Sequence, residues 1–216
     1  MSSTTTNDHG TPHGGSRRDF LGLLTGAFAA VGTGAIAWSL IDSMNPAADV
    51  IAAGAPMDID IGKIDPGQQV VVRWRGMPIL LVNRTAEMIA TLKNPADVKL
   101  LADPDSSVDQ QPGYARNWHR SVKPEIAVLV GICTHLGCLP EYFPKPDPSQ
   151  PVANWPGGYF CPCHGSKYDL AGRVWSNVPA PANLPVPPYV FVNDKTLRVG
   201  ENPPGESFSL GEVSQL

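Results

Sequence analysis

All four cysteines of this chain sit in two short boxes, and no other feature constrains the fold as strongly. The boxes are Cys133-Thr134-His135-Leu136-Gly137-Cys138 and Cys161-Pro162-Cys163-His164-Gly165-Ser166, and they also hold two of the five histidines. Two Cys and two His can ligate one metal centre, which leaves one further Cys in each box. Thiolates suit iron–sulfur iron and zinc, and imidazole suits either metal. The mixed set Cys-x-His plus Cys-x-x-His, with a spare Cys pair, points to a [2Fe–2S] centre in which two His replace two Cys on one iron.

Two other readings use the same residues. Zinc also accepts Cys and His in a tetrahedron, but zinc sites usually open with ligands two to four residues apart. Cys133-x-His135 is tighter, and zinc would leave Cys138 and Cys163 without a task. Two structural disulfides in an exported domain would leave two histidines beside the cysteines by coincidence.

The boxes resemble those of the Rieske iron–sulfur subunits of respiratory ubiquinol–cytochrome c reductases, which read C-T-H-L-G-C and C-P-C-H-G-S. The likeness runs from about Arg17 to the C-terminus. It implies that Cys133 and Cys161 bind the inner iron and that His135 and His164 bind the outer one. It implies a disulfide between Cys138 and Cys163. Neutral imidazoles leave such a cluster less negative than thiolates would, which raises its potential. Ser166 and Tyr168 are placed to donate hydrogen bonds to the cluster sulfurs and raise it further.

By the same resemblance the fold is mainly β. A single N-terminal transmembrane helix precedes an antiparallel β-sandwich head with a small cluster-binding subdomain at about 132–185. The activity implied is quinol–cytochrome c oxidoreduction by a proton-translocating complex. His164, with His135 beside it, accepts a hydrogen bond and then a proton from ubiquinol. The electron passes to a c-type cytochrome, and the second electron goes to cytochrome b. The implied setting is a dimeric complex in the bacterial plasma membrane, with the N-terminus cytoplasmic and the head periplasmic. A small Rieske subunit of an arsenite-oxidase-type complex is a rival reading, as is a zinc-binding structural module. Rieske ferredoxins and the Rieske domains of ring-hydroxylating oxygenases usually lack the disulfide pair and have no anchor.

The N-terminus supports an exported, anchored protein. Residues 1–15 are polar and read as a disordered tail, in which His9 and His13 are solvated. Ser16-Arg17-Arg18-Asp19-Phe20-Leu21 looks like a twin-arginine export signal, a route that carries folded, cofactor-loaded proteins. From Phe20 to Ile41 no residue is charged. At about 1.5 Å per residue that run spans roughly 33 Å, enough for a bilayer core. The run exceeds the apolar core of a cleaved signal. It is therefore expected to stay as an anchor, 20–44 in all, with 1–19 inside. Gly22 and Gly26, with Gly32 and Gly34 beyond, suit either close helix contact or the ordinary glycine content of a membrane helix. Residues 45–55 form a small-residue linker, which the resemblance makes a hinge.

The head, 56–216, is read as short strands. The expected strands are Met57–Ile61, Gln69–Trp74, Pro78–Asn83, Glu87–Leu92, Glu125–Ile132, Tyr168–Trp175, Tyr189–Val192 and Thr196–Val199. Arg75-Gly76-Met77 and Asn193-Asp194-Lys195 mark hairpins. One helix is expected at 95–102, capped by Asn94 with Pro95 at its first position. Residues 103–121 read as a surface excursion in which Trp118 and His119 are structural. The proline-rich connection Leu139–Tyr159 is expected to be stiff and without ladder hydrogen bonds. A second such stretch, 178–185, resembles the family's loop over the cluster, with Val178 where Gly is common. The net charge of −4 and the lack of a basic patch argue against nucleic acid as a partner.

Overall fold

The structure, a computed structural model, describes residues 16–48, 52, 54–148, 150–152 and 155–216. The polar tail with His9 and His13 lies outside the described residues, as do several positions of the 45–55 linker. The chain divides into two compact units at Val50/Ile51.

Among the described residues the first unit contains the long helix α1, Arg17–Asp42. Ser16 caps it: its side chain accepts from the Asp19 N–H, and the Asp19 carboxylate accepts from the Ser16 N–H. This reciprocal arrangement satisfies two of the donors that a helix start leaves open. No residue of α1 is buried, and by length and composition the helix can cross a membrane.

The described residues of the second unit form three three-stranded antiparallel sheets. The first contains β1 (Met57–Asp60), β8 (Tyr189–Phe191) and β9 (Thr196–Val199), in the order β1–β9–β8. The second contains β2 (Gln69–Trp74), β3 (Met77–Asn83) and β4 (Ile126–Val130), with β3 in the middle. The third contains β5 (Glu141–Phe143), β6 (Gly158–Phe160) and β7 (Lys167–Tyr168), with β6 in the middle.

The second sheet is the centre of the core. β3 is buried at Ile79, Leu80, Leu81 and Val82, and β4 along its whole length. Both faces are covered, so these strands read as continuous apolar runs rather than alternating ones. Each such side chain contributes about 1.5–3 kcal/mol on burial. The core extends without a break to Cys133, Cys161 and Tyr168.

The third sheet carries a row of tyrosines. Tyr142 pairs with Tyr159, and Tyr159 with Tyr168, across neighbouring strands. Residues directly opposite in a ladder share a face. The Tyr142 and Tyr159 rings lie 5.5 Å apart, and the Tyr142 hydroxyl donates to the Gly67 carbonyl at 3.0 Å.

Several elements depart from the sequence reading. Glu87–Leu92, expected as strand, falls mostly in a helix, Ala86–Thr91, capped by Thr85. Its apolar residues Met88 and Leu92 are four apart, a helical spacing that the β-branched Ile89 masked. The helix expected at 95–102 is a single turn, Pro95–Val98, with Asn94 accepting from Ala96 N–H. The strand expected at Tyr168–Trp175 is only Lys167–Tyr168. Asp169 turns the chain by accepting from the N–H groups of Ala171 and Arg173. The 139–159 connection does form ladder bonds, because its prolines leave Glu141–Phe143 and Gly158–Phe160 free to pair.

The 103–121 segment is not a surface excursion. Ser106, Gln110, Gln111, Arg120 and Ser121 are buried. Hydrogen bonds satisfy most of these groups, as burial demands. His119 is 9% exposed, with Nδ1 2.8 Å from Ser121 Oγ. Burial and the nearby Arg84 cation, with a smaller push from Lys93, bring its pKa from 6.5 down to about 4, against the pull of Glu125. The unfolded chain therefore binds more protons than the folded one between those values, and stability falls as pH drops through that window. At about 1.4 kcal/mol per unit, discounted for residual hydration of the ring, the loss is about 1–2 kcal/mol. Denaturant midpoints measured from pH 7 to pH 4 should fall in step, and His119→Gln should flatten the decline.

Candidate metal centre

β4 leads into the first box through Gly131 and Ile132, and β6 runs straight into the second. Both loops turn in the same way. In the first, the Cys133 N–H donates to Cys138 O at 2.8 Å and the Gly137 N–H to Cys133 O at 2.9 Å. In the second, the Cys161 N–H donates to Ser166 O at 2.8 Å and the Gly165 N–H to Cys161 O at 2.9 Å. The fifth residue of each loop has positive φ, +83° and +79°, which glycine adopts without strain.

The backbones match, but the side chains do not. Histidine is third in one box and fourth in the other, while the second cysteine is sixth in one and third in the other. Cys133 and Cys161, each at the first position, are free and buried at 1% and 2% exposure. Cys138 and Cys163 form a disulfide that joins the loops. His135 is half-buried and His164 exposed, their ring centroids 4.7 Å apart and their planes at 89°.

This donor set fits a [2Fe–2S] cluster. Two thiols stand at the inner side and two imidazoles at the rim, and the other two cysteines are already used up in the disulfide. Burial, and then the neighbouring Cys133, push the Cys161 thiol up. Buried thiols of this kind suit a cation that takes the place of their protons.

Tyr168 closes the inner side. Its hydroxyl lies 3.3 Å from Cys133 Sγ and accepts from the Thr134 N–H at 3.2 Å. Burial holds this hydroxyl above its ordinary pKa, so its hydrogen remains available to the sulfur. Thr134, also buried, lies 3.1 Å from the same hydroxyl and donates to Ala182 O at 2.7 Å. Ser166 is buried, and its Oγ accepts from the Ala180 N–H at 3.0 Å, which leaves its own hydrogen for another acceptor.

Residues 178–185 cover this assembly. The left-handed position is Asn177, at φ 58°, and Val178 packs on the core. Asn183 is buried; its Oδ1 accepts from Val174 N–H and its Nδ2 donates to Asp103 O. The sequence reading passed over Thr134, Asn183 and Arg120. Only Asn183 carried a local signal, as a lone amide within a Pro/Ala/Leu run.

Residues 104–188 match the family described as "Rieske [2Fe-2S] domain", so fold and site define a Rieske-type iron–sulfur protein with a [2Fe–2S] cofactor. Residues 7–47 match "Ubiquitinol-cytochrome C reductase Fe-S subunit TAT signal". The chain is 50% identical over 186 residues to the ubiquinol-cytochrome c reductase iron-sulfur subunit of Allochromatium vinosum, covering 86% of this chain and 89% of that one. It is 48% identical to the subunit of Blastochloris viridis, over 86% of this chain and 93% of the relative. Against that of Bradyrhizobium diazoefficiens the identity is 43%, over 93% of this chain and all of the relative. The chain belongs to the family of ubiquinol–cytochrome c reductase iron–sulfur subunits.

Proposed function

We infer that this chain is the electron-carrying subunit of a ubiquinol–cytochrome c reductase, with cytochromes as its partners. Cys133 and Cys161 hold the inner iron of the cluster, and His135 and His164 the outer iron. When bound, the cluster supplies one-electron chemistry at high potential. The observation that carries the finer reading is the exposed His164 ring, with His135 4.7 Å away and the apolar Leu136, 71% exposed, on the same rim.

An exposed imidazole among apolar neighbours suits a lipid-soluble quinol. The ring nitrogen of His164 left free by the cluster would accept a hydrogen bond from the ubiquinol hydroxyl and then its proton. Leu136 and Leu139, both exposed, receive the apolar part of the quinol or its pocket. Tyr168 and Ser166 donate to the sulfur side and raise the affinity of the site for an electron. The 17–42 helix anchors the chain with the N-terminus cytoplasmic and the head periplasmic, in a dimeric complex. The 45–55 linker is the hinge on which the head, from 56 onward, moves between quinol and a c-type cytochrome.

The test is spectroscopic. Membranes containing this chain should give the EPR signal of a mixed Cys/His [2Fe–2S] centre after addition of ubiquinol. Reduction of a c-type cytochrome should follow only when the chain is present. Purified protein carrying zinc and no paramagnetic signal, or cytochrome reduction that proceeds without the chain, would overturn the reading.

A further inference from the structure

Two guanidinium groups lie buried in the head with no ion-paired carboxylate among the described residues. Arg84 donates to His119 O at 2.9 Å, to Leu170 O at 3.4 Å and to Ser121 Oγ at 2.6 Å. Arg120, fully buried, donates through Nη1 to Leu184 O at 2.7 Å, to Ala171 O at 3.2 Å and to Gly172 O at 3.4 Å. Its Nη2 donates to Gln111 Oε1 at 2.9 Å and to Gln110 O at 3.5 Å. The Nε of each has no hydrogen-bond partner among the described residues. Arg173, by contrast, is paired with Asp169 at 2.7 Å.

Burying an ion costs several kcal/mol after relaxation. Burial brings Arg84 down to about 10 and Arg120 to about 9, with the Asp169 and Asp103 charges holding Arg120 up, so both stay cationic at neutral pH. Oxygen dipoles meet Nη1 and Nη2 of Arg120 but do not neutralise its charge. A further source of negative charge nearby would offset the cost.

The hydrogen bonds of Arg120 lead to the metal centre from two sides. Ala171 and Gly172 belong to the turn that follows Tyr168, whose hydroxyl touches Cys133. Leu184 ends the cover whose Ala182 O accepts from Thr134 and whose Ala180 N–H donates to Ser166. Between Ala182 and Leu184 lies one residue, Asn183, a chain distance of at most about 7 Å. An electron arriving at a [2Fe–2S] unit held by two thiolates and two neutral imidazoles brings one negative charge to a centre that was neutral. In a low-dielectric interior a cation with no directly paired carboxylate is felt beyond its hydrogen-bond partners with little screening.

We propose that Arg120 is a positioning and charge-supplying residue for the iron–sulfur centre: its guanidinium fixes the turn after Tyr168 and the 180–184 cover, and its charge stabilises the centre once an electron has been taken from quinol. The proposal rests on the cluster assignment above. It predicts two shifts of opposite sign. Removing the Arg120 charge lowers the midpoint potential. Removing the charge of Asp103, a carboxylate that faces Arg120 electrostatically, raises it. Loosened hydrogen bonds to sulfur alone would lower the potential in both cases.

The test is EPR-monitored redox titration of the full chain in its membranes, for wild type, Arg120→Met, Arg120→Lys and Asp103→Asn. We expect a lower midpoint in Arg120→Met at normal signal shape, recovery of most of the loss in Arg120→Lys, and a higher midpoint in Asp103→Asn. An unchanged midpoint in Arg120→Met, an equal fall in Arg120→Lys, or a fall in Asp103→Asn would overturn it. If Arg120→Met assembles no cluster, Asp103→Asn decides: a midpoint that fails to rise overturns the proposal. Absence of the signal in wild type would instead overturn the cluster assignment.

Discussion

Cys138→Ser is expected to cost the protein most of its cluster. The disulfide to Cys163 ties together, independently of the cluster, the two loops that carry the free thiols and the paired imidazoles. Elsewhere the loops meet through single hydrogen bonds such as that from Thr134 N–H to Tyr168. Removing a native disulfide from a small exported domain typically costs about 2–5 kcal/mol, a large part of a domain's net stability. Iron content and EPR amplitude per protein should fall sharply, together with the melting temperature. The compartment matters, because such a bond persists only where conditions are oxidising. Free thiols at both positions in the native protein, seen by mass spectrometry, would refute the expectation.

Gly158→Ala should be comparably severe, although no ligand is touched. Gly158 sits in β6 at φ +137°, and a Cβ there would stand 2.0 Å from the Tyr168 carbonyl oxygen and 2.9 Å from Asp169 Cα. Both neighbours are backbone, so no side chain can swing away. Backbone strain of about 1–3 kcal/mol adds to overpacking of about 1–3 kcal/mol. Relief would require β6 and β7 to part, which moves Tyr168 away from Cys133. Soluble, iron-loaded Gly158→Ala protein with a wild-type melting temperature would show that the strands can separate without harm.

Legibility from sequence followed chemistry. Box spacing brought Cys133, His135, Cys161 and His164 into one hypothesis; the two histidine rings lie 4.7 Å apart and a disulfide joins the two loops. The hairpin at Arg75–Gly76 and the β8–β9 pair were visible because turn residues punctuate alternating or β-branched runs. What could not be read was long-range. Met88 and Leu92 share a helical face only because Thr85 provides a cap, and Ile89 pulled the local reading toward strand. Residues 103–121 look like polar surface because Gln110, Gln111 and Arg120 are polar. Their burial depends on carbonyl groups dozens of positions away, at Ala171, Asn183 and Leu184. No periodicity announces a buried cation whose partners are backbone atoms. The proline-rich connection misled for a related reason: proline removes a donor only where it stands, and the residues between prolines remained able to pair.

The tyrosine row has a consequence for speed. Tyr168 meets Cys133, Tyr159 pairs beside it, and Tyr142 bonds to Gly67 on the far side of the row. The metal loops are thereby clamped to a close-packed body rather than held on a free tip. Electron exchange is slowed whenever nuclei must rearrange as charge changes, and close-packed interiors yield little. Dipoles already in place need not reorient at the moment of transfer. A centre gripped in this way is expected to have a low reorganisation energy, so that its own rearrangement adds little to the barrier for electron transfer.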